Sequence, residues 1–440
     1  MGLVTPPGIR ELRGKLYRKA KQEREYRFYT LYDKVWREDI LTFAWHLSRA
    51  NGGAPGTDGQ TFADIEAYGV EKWLTELAEE VRTERYRPSP VRRVMIGKPG
   101  GAGERPLGIP TIRDRVVQTA ARLILEPIFE ADFDQAAYGY RPGRSALQAV
   151  EKVHASLKEG RTQVLDADLS KYFDSIPHQE LLRSVARRVV DRAMLHLIKM
   201  WLKSPVEETD EKGRKRLTGG KKAKRGIPQG GAISPLLANI YMHRYIRAFR
   251  RAGIDRKLGA TLVTYADDLV VLCRRGCEGA LKVTKAWMEQ MGLELNMQKT
   301  RVLNATEEHF DFLGYTFGPV YHKPTGDKYL GAEPSKKAVK RLRANIRGVL
   351  RSGNMEPWEV VAEKLNRILS GWANYFSYGT IAKTRRAVDF YVQGRVRHFL
   401  RRRRKIRTRG TAQIPEKMVF GELGVLSVQR LPRRGAAHAL

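Results

Sequence analysis

Residues 261–272 read Thr-Leu-Val-Thr-Tyr-Ala-Asp-Asp-Leu-Val-Val-Leu, two short β-branched, apolar runs interrupted by Asp267 and Asp268. The runs favour strands and the acids a turn, so this stretch predicts a hairpin with a charged tip. Two readings of that tip are open from these residues. One is an ordinary Asp-containing turn; the other is a rigid strand pair holding a divalent cation against a phosphate.

A second acidic stretch lies upstream. Residues 164–174 read Val-Leu-Asp-Ala-Asp-Leu-Ser-Lys-Tyr-Phe-Asp. As a strand, this places Leu165, Ala167 and Leu169 on one face and Asp166 and Asp168 on the other. Asp174 fits a helix N-cap or a loop, because Pro177 ends the extended run. Between the two stretches, Gly226-Ile-Pro-Gln-Gly-Gly231 precedes a helix predicted over 236–250. Adjacent glycines there let another chain approach the backbone at a helix N-terminus, with Gln229 beside it to read or brace a base pair.

The partner is suggested by charge. Lys and Arg number 81 against 48 Asp and Glu, for a net charge of +33 and a pI near 10.2, which favours a polyanion. A hydrophobic content of 42% and 440 residues imply two or three folded domains rather than a disordered chain. No apolar run reaches the roughly 18 residues of a membrane span, and neither a lipidation signal nor a signal-peptide core is seen, so no membrane partner is expected. Cys273 and Cys277 are the only cysteines. They exclude a disulfide framework and fit a reducing cytosol, Cys273 as core and Cys277 in the following turn.

The other segments give coarser expectations. Residues 11–50 mix basic residues with aromatics on helices, the rings serving as core or as stacking platforms. The Gly- and Pro-dense loop 51–59 is a phosphate cradle or a connector. Residues 86–110 form a basic hairpin whose tip is flanked by Lys98 and Arg105, either clamping a triphosphate or carrying solvated charge. Helices are predicted over 112–129 (ended by Pro127), 181–202 and 278–291, with a charged hairpin over 207–224. Lys299 falls in an extended run over 293–303, and residues 310–317 form an aromatic strand pair. From 333 the pattern turns helical, the last helix running from about 384 into Arg401, Arg402, Arg403, Arg404 and Lys405, where nucleic-acid contact is expected.

Asp168 and Asp267 together could bind two Mg²⁺ ions roughly 3.5–4 Å apart, for phosphoryl transfer to a nucleotide. At this point the sequence resembles reverse transcriptases. Tyr265-Ala-Asp-Asp268, Asp168 and Gly226-Ile-Pro-Gln-Gly-Gly231 carry the likeness, and it is nearer to the reverse transcriptase/maturases encoded by group II introns. The loop 51–59, Gly108-Ile-Pro110, Tyr138-Gly-Tyr-Arg-Pro-Gly143 and Gly371-Trp-Ala-Asn-Tyr-Phe376 match that family's segments in order.

The resemblance implies an α/β right-hand polymerase, with fingers and palm, followed by an all-helical thumb/maturase domain. The implied boundaries are a basic helical extension over 1–60, fingers over 61–160, palm over 161–320, thumb over 321–409 and a short tail over 410–440 that contacts DNA. Asp168, Asp267 and Asp268 are implied as catalytic acids and metal ligands, with the backbone carbonyl of Leu169 as a further ligand. Lys98 and Arg105 would grip the deoxynucleoside triphosphate, Phe173 would exclude a ribose 2′-hydroxyl, and Gln229 and Gly230 would line the nascent pair. Lys299 would be a general acid for pyrophosphate, and Phe312, Leu313, Gly314 and Tyr315 the primer grip. The implied partners are group II intron RNA, an RNA template with a DNA or RNA primer, and target DNA, in a bacterial cytoplasm. No Cys- and His-rich nuclease module precedes Leu440, so DNA cleavage is not expected; no oligomeric state is specified. Two rivals are a splicing cofactor with an idle polymerase centre and a stand-alone bacterial reverse transcriptase in defence or repair.

Overall fold

The computed structural model describes residues 3–97, 103–210, 212–322 and 325–433. The helix Ile112–Glu130 is buried on almost every side. Thr111 caps it by accepting from the Asp114 amide at 3.1 Å. Pro127 was expected to end this helix, yet the chain continues helical through it. A proline leaves the carbonyl four residues earlier without its amide. Arg13 supplies the missing donor, binding the Leu123 carbonyl at 3.0 Å and Glu126 at 2.6 Å. The helices Pro7–Gln22 and Glu38–Asn51 pack against the same long helix. Phe28, Phe43 and Trp45 join the core, while Tyr17 and Tyr29 stay exposed.

The chain divides into two compact units, the first comprising Met1–Ser145, Leu165–Val271 and Gly276–Arg301, the second Ala146–Val164, Leu272–Arg275 and Val302–Leu440. In the first, the basic hairpin Val91–Gly97 and Glu104–Ile109 is joined by a second hairpin, Pro205–Thr209 and Lys215–Gly219, in one four-stranded sheet. A parallel pairing of Val91 with Val206 links them, braced by Arg93 on Glu208 at 2.5 Å. The helix expected over 181–202 is two helices, His178–Val185 and Arg192–Leu202. Asp191 makes the break: its carboxylate caps the second helix at Met194 and also accepts from the Leu31 and Tyr32 amides at 2.7 and 2.8 Å. Those tertiary bonds are invisible to local periodicity.

A second sheet has the order Thr261–Tyr265, Asp268–Cys273, Gln163–Asp168, Arg301–Asn304. Its apolar face packs inward through Leu165, Ala167, Leu262, Leu269 and Val271. Cys277, expected in a turn, begins the helix Cys277–Gln290 and is buried. Lys299 sits in a turn before the last strand rather than in an extended run.

In the second unit the strands Phe310–Phe312, Tyr315–Tyr321 and Lys328–Pro334 form a meander, so strand extends into the region expected to be helical. Three helices follow, Lys336–Val349, Trp358–Tyr375 and Ala382–Arg403. Leu342, Ile346, Val361, Leu365, Leu369, Val392 and Val396 are their shared interior, each contributing about 2 kcal/mol by leaving water. Residues 410–433, expected as a tail, fold onto these helices. Ile414, Val419, Val425 and Val428 are buried, and Asp389 accepts from the Ser427 hydroxyl and the Val428 amide at 2.6 and 2.8 Å.

Candidate active site

The acidic hairpin forms as the β-branched runs require. Its turn is two residues, Ala266 and Asp267, with Ala266 in the left-handed region at φ 57°. A non-glycine residue there is strained, and such strain concentrates at functional sites. The strand Gln163–Asp168 lies beside Asp268–Cys273 in the sheet, which brings Asp168 to the Asp267–Asp268 tip. The Asp168 carbonyl accepts from the Asn296 amide at 2.8 Å, and Lys299 Nζ sits 3.0 Å from Asp168 Oδ2.

The electrostatics follow from this clustering. Burial pushes the Asp267 carboxyl up, and the Asp168 charge raises it further while Lys299 and Arg105 pull it back. Asp268 is pushed up to about 7, first by burial and then by Asp267, Asp168 and Asp166. Its neighbouring cations do not offset that repulsion. Among the described residues, no group of three or more His, Cys, Asp and Glu is arranged to hold a metal ion by itself. The donor chemistry nonetheless suits Mg²⁺, which is typically bound by one or two carboxylates with waters and substrate phosphates rather than by a complete protein cage. Asp168, Asp267 and Asp268 fit that arrangement.

Around the acids, the Gly226–Gly231 turn docks on the four-stranded sheet of the basic hairpin. The Gly108 amide donates to the Gln229 carbonyl at 2.6 Å, and a Cβ on Gly230, at φ 118°, would collide with the Gly108 carbonyl. Gly230 therefore permits backbone contact within the protein itself. The Gln229 side chain donates to Asp174 Oδ2 at 3.3 Å. That pairing gives Asp174 a bracing role that its N-cap or loop pattern did not suggest. Phe173 lies in the short helix Tyr172–Ser175, partly exposed, its carbonyl accepting from the Ile227 amide at 2.7 Å. Leu169 is buried and bridges to Leu295. Arg105 is exposed on its strand, close enough to act on the Asp267 charge. Lys98 lies outside the described residues.

The loop 51–59 is tied down through its carbonyls: Arg115 donates to Gly52 at 3.2 Å and also to Ala54. Arg141, in the loop Tyr138–Gly143, is 6% exposed and forks onto Glu130 at 2.6 and 3.0 Å. It serves packing rather than phosphate.

The remaining predicted residues lie in the second unit. Phe312 and Tyr315 are buried on either side of the two-residue turn Leu313-Gly314. Tyr315 donates to the Tyr375 carbonyl at 3.0 Å and Tyr375 to the Leu313 carbonyl at 2.8 Å. Of the basic run, Arg402, Arg404 and Lys405 are exposed, and Arg401 is half-buried. Arg403 instead binds the Asn354 and Glu356 carbonyls at 3.0 and 2.7 Å.

Residues 96–317 match the family model described as reverse transcriptase (RNA-dependent DNA polymerase), and residues 339–414 match the maturase-specific domain of group II introns. Protein YkfC of Escherichia coli is 33% identical over 355 residues, covering 70% of this chain and 87% of that protein. The group II intron-encoded protein LtrA of Lactococcus lactis is 35% identical over 216 residues, covering 49% of this chain and 34% of LtrA. A putative COX1/OXI3 intron 1 protein of Saccharomyces cerevisiae is 27% identical over 344 residues, 66% of this chain and 40% of that one. The matches thus span most of YkfC but less than half the length of the two intron proteins. No helix among the described residues is long and apolar enough to cross a membrane.

Proposed function

The chain belongs to the reverse transcriptase family, the RNA-dependent DNA polymerases, with a group II intron maturase-specific domain after the polymerase region, and from that premise we propose that it copies its intron RNA into DNA, assists splicing and supports intron mobility. The observation that carries the polymerase reading is the convergence of Asp168 with Asp267 and Asp268 on one sheet, with Asp268 pushed up to about 7.

Asp168, Asp267, Asp268 and the Leu169 carbonyl would hold two Mg²⁺ ions. Bound there, such ions would lower the pKa of the attacking 3′-hydroxyl and stabilise the departing oxygen. The protein's own groups do the positioning. Arg105, with Lys98, grips the triphosphate of the deoxynucleotide, Arg through its planar fork. Gln229, held by Asp174, lines the nascent pair, and Lys299 protonates the leaving pyrophosphate. The Leu313-Gly314 turn grips the primer. Arg402, Arg404 and Lys405 contact RNA phosphates, giving binding that weakens steeply with salt. Work within a bacterial cytoplasm, on an RNA template with a primer and on target DNA, follows from the same reading.

Phe173 supplies a test. With a primed RNA template the protein is expected to incorporate deoxynucleotides and reject ribonucleotides, because the phenyl ring fills the space a 2′-hydroxyl needs. Phe173→Ala should raise ribonucleotide incorporation by about tenfold or more, the scale of one steric exclusion in a packed pocket. Unchanged sugar selectivity in a folded Phe173→Ala variant would remove the gate from Phe173.

The acids predict a pH dependence as well. The folded carboxyl of Asp268 lies near 7, above its ordinary value, so below pH 7 a proton occupies the site that a metal needs. Half-saturating Mg²⁺ for synthesis should therefore be about tenfold higher at pH 6 than at pH 8, as expected for one proton competing at that pKa. For the same reason the metal-free fold should gain stability as pH falls from 7 toward 4. A Mg²⁺ requirement equal at the two pH values would show that Asp268 takes no part in binding the ion.

A further inference from the structure

The loop Tyr138-Gly-Tyr-Arg-Pro-Gly143 is fixed to the acidic hairpin by an unusual number of constraints for a six-residue segment. The Tyr138 amide donates to the Thr264 carbonyl at 2.9 Å, and the Thr264 amide returns to Ala136 at 2.8 Å. Asn239 Nδ2 binds the Gly139 carbonyl at 2.7 Å. Gly139 passes so near the turn that a Cβ on it would stand 2.7 Å from the Ala266 nitrogen. Arg141, besides its fork on Glu130, donates to the Asp134 and Ala137 carbonyls at 2.6 and 2.7 Å.

What this framework presents is Tyr140. Its backbone is left-handed, at φ 56°, a conformation that bulky residues rarely adopt. Its side chain is 53% exposed, although its ring centre lies 6.4 Å from that of Tyr265, the residue two before Asp267. Partial burial pushes its phenol up, and the charge of Asp267 raises it further while Arg105 pulls it back. Packing does not account for a strained, exposed aromatic held rigidly beside catalytic acids. Backbone strain kept at an exposed residue points to a functional role there.

We propose that Tyr140 is a base-stacking residue of the polymerisation site, its ring taking the face of the primer's terminal base. The assignment rests on the polymerase reading given above. An aromatic face binds any base, as a template-directed enzyme requires, and base–aromatic stacking is a general mode of holding single nucleotides. The primer end is favoured over the incoming nucleotide because the loop is welded to the turn carrying Asp267, where the attacking hydroxyl must arrive.

The test compares wild type, Tyr140→Phe and Tyr140→Ala on a primed RNA template, with thermal melting as a control for folding. Tyr140→Ala is expected to lose about tenfold or more in extension efficiency, while Tyr140→Phe stays within about twofold. An abasic primer terminus should erase the difference between wild type and Tyr140→Ala, since the lost contact is then absent from both. A difference that persists on the abasic primer, or an equal loss in Tyr140→Phe, would overturn the proposal. A readout independent of turnover is the fluorescence of 2-aminopurine at the primer terminus. Wild type should quench it on binding and Tyr140→Ala should not; equal quenching by both would also overturn the assignment. Failure of the polymerase reading would instead appear as no extension by wild type, whatever the quenching shows.

Discussion

Asp267→Asn is expected to lower templated DNA synthesis by about a thousandfold or more, while RNA affinity and thermal stability remain near those of the wild type. The substitution keeps the shape of the turn but removes a charge. Losing several kcal/mol of metal-borne stabilisation of the reacting oxygens gives a rate loss of that size, at about 1.4 kcal/mol for each factor of ten. Stability should be preserved, or rise slightly, because Asp267 and Asp168 repel one another in a buried setting. Primer extension and filter binding on the same preparation measure both. Loss of synthesis together with RNA binding would point to a misfolded site, whereas unimpaired synthesis would take Asp267 out of the chemistry. The splicing cofactor with an idle polymerase centre predicts no synthesis by wild type and therefore no effect.

The largest stability effect is expected at Arg385. This side chain has no exposure, and its guanidinium donates to the carbonyls of Ala373, Phe376, Val428, Leu431 and Pro432 at 2.6–3.4 Å. It joins the end of the helix Trp358–Tyr375 to the last described residues of the chain. Arg385→Ala strands several buried carbonyls and opens a cavity, costing about 3–5 kcal/mol by the penalties for unpaired buried polar groups and lost volume. Lysine should rescue little, since an ammonium has three donors on a flexible stem and no planar fork. Denaturant unfolding measures the loss, and limited proteolysis should show new cleavage within residues 410–433. Were those residues a loosely attached tail, the substitution would change stability by less than about 0.5 kcal/mol.

Arg385 also shows what local sequence conceals. It stands beside Arg386 in a basic stretch, but three of its five carbonyl partners, Val428, Leu431 and Pro432, lie more than forty positions further along the chain. Arg188 and Arg13 likewise satisfy carbonyls of distant segments, and Arg141 those of its own loop. A count of positive charge overstates the surface available to nucleic acid, because several arginines are internal fittings of the fold. The acids behaved differently. Asp166 and Asp168 alternate with Leu165, Ala167 and Leu169, and Asp267 and Asp268 interrupt β-branched runs. Period-two patterns of this kind set a face without tertiary information, so the strand order brought together groups already legible one by one. What the pattern could not contain was the bracing of Gln229 by Asp174, the parallel link from Val91 to Val206, or the rescue of the Leu123 carbonyl beside Pro127. Each depends on a pairing between distant segments.

The most direct measurement is extension of a 5′-labelled primer on a defined RNA template, by the purified chain with Mg²⁺ and three of the four deoxynucleotides. Synthesis is predicted to run to the position before the first template base whose complement is missing, and to resume when the fourth nucleotide is added. No extension by folded protein, or addition that ignores the template, would contradict the assignment of Asp168, Asp267 and Asp268 to RNA-templated DNA synthesis.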